Sequence, residues 1–169
     1  MDDSDRQAPE VEFTEGCWDM AALPEPLLRR AFAYWDGKRG GRDLPARADI
    51  EPTEIPDILR NIFLVDVLDD PPRFHLRLMG TAFRDWFGRE LTGFTFAAGD
   101  LKGPLARYFQ DWREVAGARR PRWICCRHWF DRSRGEGMAW TGLVMPMAKT
   151  EQAPVDMLFG ATVFRRIET

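Results

Sequence analysis

Two histidines, His75 and His128, are the first residues to weigh for catalysis or metal binding. Each lies in a stretch that alternates like a strand. Neither has a Cys, His or carboxylate partner at metal-ligand spacing, so ordinary sheet histidines explain them better than a zinc or haem site. Of three cysteines, Cys125 and Cys126 are adjacent. Neighbouring strand residues point to opposite faces, so these two thiols can neither bridge nor share a metal. Cys125 is a reactive-thiol candidate or simply a small buried hydrophobe. No G-x-S-x-G elbow exposes a serine. Gly37-Lys38-Arg39-Gly40-Gly41 follows a helical pattern rather than a strand and lacks the Lys-Ser/Thr ending of a phosphate cradle, so it reads as a helix stop. Asp69-Asp70 occupy a turn, where Asp bonds its own backbone. No catalytic residue and no metal ligand is assigned, and no cofactor class follows.

The elements that would position any site alternate in type. Residues 1–20 mix acids, Pro and Gly without periodicity and are expected to lack regular structure. Over 24–38, Leu27, Leu28, Ala31, Phe32 and Trp35 recur at helical spacing, and Gly40 and Gly41 end the helix. A short helix over 53–60, capped by Thr53, precedes strands over 61–68 and 73–79. With Leu68 opposite Arg73, the pairs Val67–Phe74, Val65–Leu76 and Phe63–Leu78 make an apolar face. The other face pairs Asp66 with His75 and Leu64 with Arg77, and sets Asp66 diagonal to Arg77. Helices follow over 81–88 and 103–116, the second with Leu105, Phe109, Trp112 and Ala116 on one face.

Three strands close the chain, over 122–132, 138–148 and 155–166. The expected register aligns Trp123–Met147, Cys125–Met145, Arg127–Leu143 and Trp129–Thr141. On the other side it aligns Met147–Val155, Met145–Met157, Leu143–Phe159 and Thr141–Ala161. This order of helices and strands is an α+β fold.

The size of 169 residues suits one domain with a real core. A formal charge of −3 argues against general nucleic-acid binding, which needs a basic footprint. No apolar run approaches the length of a membrane span. The start of the chain is acidic and polar, unlike a signal peptide. A cytoplasmic protein with no membrane partner is expected.

The run from Leu44 to Gly93 carries an ordered set of motifs. It contains Leu44-Pro45, Arg47, Asp49-Ile50, Pro52, Glu54-Ile55-Pro56 and Leu59, after Trp35. Asp66 ends a strand, Arg77 and Gly80-Thr81 follow, and Gly88-Arg89 and Leu91-Thr92-Gly93 close the run. This set resembles the PAS domain, and within it a bacterial subfamily of small stand-alone proteins. The resemblance covers roughly residues 32–164. It implies a five-stranded antiparallel sheet with helices over one face, divided here as a leader helix (21–43) and a PAS-like domain (44–169).

The resemblance also implies a non-catalytic sensory or signalling module that binds a small molecule, a partner signalling protein, or both. Such ligands sit between helices and sheet. There Phe83, Trp86, Phe87, Phe109 and Trp112 would face Cys125, Leu143, Met145 and Phe159, either as a pocket or as plain core packing. The expected register also points Arg127 inward, where a buried guanidinium needs an anionic partner. A bulge or slipped register would return it to solvent. A filled core and no ligand would make the chain a pure interaction or dimerisation module, and a small enzyme on the same scaffold is a third reading. The apolar leader helix predicts a homodimer built on it, against a monomer that folds the helix back.

Overall fold

A computed structural model describes residues 10–68, 72–97, 99–101, 104–131 and 134–167. Seven strands form one antiparallel sheet: β1 (Glu10–Phe13), β2 (Ile62–Leu68), β3 (Arg73–Met79), β4 (Thr95–Phe96), β5 (Arg122–Asp131), β6 (Glu136–Met147) and β7 (Met157–Ile167). Their spatial order is β1-β5-β6-β7-β2-β3-β4. Among the described residues three α-helices accompany them: α1 (Pro26–Lys38), α2 (Thr81–Phe87) and α3 (Pro104–Ala118). The α+β class holds. The strand count rises from five to seven because two short edge strands, β1 and β4, flank the long ones.

β1 corrects the expectation of an N-terminal segment without regular structure, as far as Glu10 onward is concerned. Val11 and Phe13 alternate with glutamates and pair with His128 and Cys126 of β5. A four-residue alternation is too short to stand out in sequence, yet it satisfies an otherwise open sheet edge.

The leader docks on the chain's own sheet. Leu28, Ala31 and Trp35 are buried, Leu27 and Phe32 half-buried. Tyr34 meets the Phe159 ring edge-on at 6.3 Å, and Trp35 Nε1 donates to the Pro146 carbonyl at 3.0 Å. The stripe that argued for dimerisation through this helix is therefore covered within one chain. Burying each such large side chain is worth about 1.5–3 kcal/mol, and that gain is made internally.

After α1 the chain runs through 3₁₀ turns rather than the expected helix over 53–60. Pro52 begins a turn of three residues, and Thr53 caps nothing. Leu44, Ile50, Ile55 and Ile58 are buried pegs. The polar motif residues hold the pegs in place. Asp49 accepts from the Ala46 amide at 2.7 Å and from Arg42 at 2.6 Å, while Arg47 donates to the Ile50 carbonyl at 3.0 Å. Glu54 accepts from the Tyr34 hydroxyl at 2.8 Å and pairs with Lys38 at 2.6 Å.

The first hairpin follows the expected register at Leu68–Arg73, Val67–Phe74, Asp66–His75 and Val65–Leu76. Its tip, Asp69 to Pro71, lies outside the described residues. Val65, Phe74 and Leu76 are buried and Val67 is half-buried. Beyond Val65 a bulge sets Leu64 opposite Leu78 and Phe63 opposite Met79, so Phe63–Leu78 and Leu64–Arg77 do not pair. Arg77 is the extra residue. The bulge re-aims it, and its Nε donates to both Asp66 oxygens at 2.9 Å. Gly80 follows where a side chain has no room: a Cβ there would lie 2.3 Å from the Arg60 carbonyl oxygen.

The later strands are displaced from their expected pairing. β5 is shifted by four residues, with Trp123–Leu143, Cys125–Thr141, Arg127–Ala139 and Trp129–Gly137 opposed. β7 is shifted by two, with Met147–Met157, Met145–Phe159, Leu143–Ala161 and Thr141–Val163 opposed. The β6–β7 connection is longer than a tight turn, because Val155 and Asp156 belong to it. The Asp156 amide bonds the Met147 carbonyl at 3.1 Å, and its own carbonyl receives the Val67 amide at 3.0 Å.

Candidate functional site

Directly opposed residues on neighbouring strands share a face, so the register sorts the ten candidate ligand-binding residues. Phe159, opposite Met145 and in contact with Tyr34, lies on the face that α1 covers. Leu143 and Cys125 follow on that face by alternation along β6 and the Cys125–Thr141 pair. The other face is marked by Phe63, which lies opposite Gly160 and contacts Phe83 at 5.8 Å and Trp112 at 5.9 Å. α2 and α3 therefore cover the face opposite Leu143, Met145 and Phe159. The sheet stands between the two halves of the expected set.

The reason is legible in β6. Every residue from Trp140 to Met147 is buried, so both of its faces are covered and apolar alternation carries no sign of which face meets which helix.

On the α2–α3 face the rings interlock. Phe74 meets Phe109 at 4.8 Å and Trp112 at 5.3 Å, both edge to face. Phe164 of β7 collects α2: it meets Phe83 edge-on at 5.2 Å, stacks on Trp86 at 5.1 Å and touches the exposed Phe87 at 6.1 Å. Phe63, Phe74 and Phe164 are the sheet residues that meet the candidate aromatics of α2 and α3. Phe164 was missed, and its signal was there: it alternates in phase with Leu158 and Gly160.

Arg127 is exposed, opposite Ala139 on one side and Glu12 of β1 on the other. The shifted register removes it from Leu143, so its guanidinium is not turned inward. Cys125 is half-buried, its sulfur 3.3 Å from the Thr141 hydroxyl. Cys126 is buried on the other face beside Trp140, and burial pushes its thiol up to about 12. Such a thiol stays protonated and is a poor nucleophile. Tyr108 stacks on Trp140 at 4.5 Å, and burial holds its hydroxyl well above the usual phenol range.

His75 exchanges a hydrogen bond with the Thr95 hydroxyl at 2.8 Å, and burial lowers the pKa of His128. Among the described residues no group of three or more His, Cys, Asp or Glu is placed to hold a metal ion, and no helix is long and apolar enough to cross a membrane.

A sheet with helical covers on both faces, entered through a pegged leader and a bulged hairpin, makes an α+β domain. The PAS domain family model matches residues 24–99, which supports the PAS resemblance over that segment. The match spans α1, the leader turns, the hairpin, α2 and β4. No curated protein and no solved structure matches the chain significantly.

Proposed function

We propose that this protein is a sensory or interaction module that acts by binding, not an enzyme, and that its interior is packed rather than hollow. The observation that carries this is the ring cluster on the α2–α3 face. Phe63, Phe74, Phe83, Phe109 and Trp112 meet at centroid separations of 4.8 to 5.9 Å, the range of favourable aromatic pairs. In this reading Phe83, Phe109 and Trp112 are core, as are Leu143, Met145 and Phe159 beneath α1. Recognition of a small molecule or of a partner signalling protein falls to the surface. The leader (21–43) and the body (44–169) work as one unit, since Leu28, Ala31 and Trp35 are part of the common core. That coverage favours a monomer over a homodimer through α1. An acidic chain in the cytoplasm, binding neither nucleic acid nor membrane, completes the reading.

Native mass spectrometry of the purified protein tests it. The expected species is the bare monomeric chain. A retained small molecule that is displaced when Phe109 is enlarged to Trp would place a ligand in the interior and overturn the packed-core reading.

A further inference from the structure

The residues after β1 form a strap across the sheet edge. Cys17 and Trp123 exchange backbone hydrogen bonds at 2.8 and 3.0 Å, and Trp123 Nε1 donates to the Asp19 carbonyl at 3.0 Å. Between this strap, α3 and the start of β5 lies an open cleft of about 620 Å³, lined among others by Phe13, Glu15, Trp18, Arg107, Glu114 and Arg122. That volume falls within the range of small-molecule sites.

Arg122 and Asp111 at the base of the cleft are buried, and the group they form with Arg107 and Glu114 is incompletely bonded. The Arg122 side chain is 8% exposed, and its guanidinium lies 4.9 Å from the centre of the Trp18 ring. Its Nη1 contacts Glu114 and lies 3.5 Å from Asp111 Oδ1. Arg107 Nε is 3.7 Å from Asp111 Oδ2. Yet Nε of Arg122, Nε of Arg107 and Oδ1 of Asp111, all enclosed, make no hydrogen bond. Buried donors and acceptors without partners are unfavourable and rare in folded proteins. Gly16 stands over this group: a Cβ there would lie 1.9 Å from Arg122 Nε, so only glycine leaves the guanidinium its place.

Charge balance selects the ligand. Two guanidiniums, Arg107 and Arg122, face two carboxylates, Asp111 and Glu114; at the rim Glu15 adds an acid and Arg120, 5.4 Å from the centre of the Trp18 ring, adds a base. A simple anion would bring uncompensated charge into a partly desolvated site, and a simple cation would leave the two Nε–H donors unmet. A zwitterion answers both needs. Its carboxylate accepts from Arg107 and Arg122, and its ammonium meets the acids. We propose that this cleft binds a small zwitterion, an α-amino acid whose apolar side chain lies against Phe13 and Trp18. The proposal rests on the reading of the protein as a binding module and adds the place and the ligand class.

Isothermal titration of the full chain with L-phenylalanine, 3-phenylpropionate and 2-phenylethylamine separates the possibilities, with L-leucine and glycine testing the apolar contact. L-Phenylalanine should bind, and the analogues lacking the ammonium or the carboxylate should bind at least about tenfold more weakly. Arg107→Gln and Trp18→Leu should each weaken L-phenylalanine by a similar factor while the circular-dichroism spectrum and melting curve stay close to those of the parent. Trp18 lies outside the ion cluster and Gln at 107 keeps an N–H donor beside Asp111, whereas Arg122→Gln would break the cluster. Binding that survives both substitutions, or equal binding of all three phenyl compounds, would overturn the cleft but not the binding role. Binding of none of the amino acids would also overturn it, leaving the broader reading to its own test by native mass spectrometry.

Discussion

Gly160 offers the sharpest test of how β2, β6 and β7 are stacked. It lies between Val144 and Phe63 in the sheet. A Cβ at this position would fall 2.0 Å from Phe63 Cζ and 2.6 Å from the Leu143 carbonyl oxygen. Non-bonded carbons settle at about 3.5–4.0 Å, so the ring would have to retreat by roughly 1.5–2 Å. It has nowhere to go. Phe63 is buried and held between Phe83 and Trp112. Overpacking of this kind costs about 1–3 kcal/mol, and the backbone carbonyl, which no rotamer change can move, puts Gly160→Ala at the upper end. For a chain of this size that corresponds to a fall in Tm of roughly 5–10 °C.

Urea titration and thermal melting by circular dichroism measure it directly. Adding Phe63→Leu to Gly160→Ala should cost less than the two single changes summed, because the smaller side chain relieves the collision. Full additivity would assign the strain to the Leu143 carbonyl alone. A Gly160→Ala protein within about 0.5 kcal/mol of the parent would refute the placement of the Phe63 ring, and with it the face assignment of the sheet.

Leu76→Ala, in the buried face of the first hairpin, should lose about 2–5 kcal/mol in the same urea titration, whereas a near-neutral result would deny its burial. Asp49 is held below its ordinary value of 3.8 by the Ala46 amide and then by Arg42. Because its folded value is depressed, its contribution is present above the ordinary value and is lost as pH falls through the depressed one. Asp49→Asn should therefore flatten the acid limb of the stability profile below that ordinary value and leave the neutral region lower by a roughly constant amount. Cys126 should resist alkylation by iodoacetamide at mildly alkaline pH until the protein unfolds, with Cys17 and Cys125 modified first as peptide mass mapping reads them; prompt labelling of Cys126 would contradict its burial.

How much of this could be read from residues alone differs between the two halves of the sheet. In the first hairpin one face is apolar and the other carries Asp66, His75 and Arg77, so a one-residue slip would bury charge and the register is determined. The Asp66–Arg77 pair was legible as a cross-strand diagonal, whereas the bulge beyond Val65 was not, because the apolar Phe63, Leu64, Leu78 and Met79 fit either register. In β5, β6 and β7 the displacements were even, four and two residues. Each strand's own alternation therefore survived while its partners changed. What failed was the assignment of faces to helices, since a strand buried on both sides has no polar side to orient it.

The same contrast separates the motifs from the candidate site. Leu44, Ile50 and Ile55 are pegs, Asp49 and Glu54 brace the turns between them, and Gly80 makes room for the Arg60 carbonyl. These roles are structural, so these motif residues identify a scaffold. The groups of the edge cleft come from elsewhere. Phe13 to Trp18 precede the segment that matches the PAS family, and Arg107, Asp111, Glu114 and Arg122 follow it. Nothing in their spacing announces them: they are gathered only because β1 pairs with β5 and carries the strap over Arg122. A guanidinium that looked like an ordinary strand residue is thereby enclosed beneath Trp18, while Arg127, the arginine that alternation singled out, faces solvent. Position relative to the sheet edge, rather than residue type or spacing, decides which of the two arginines is enclosed.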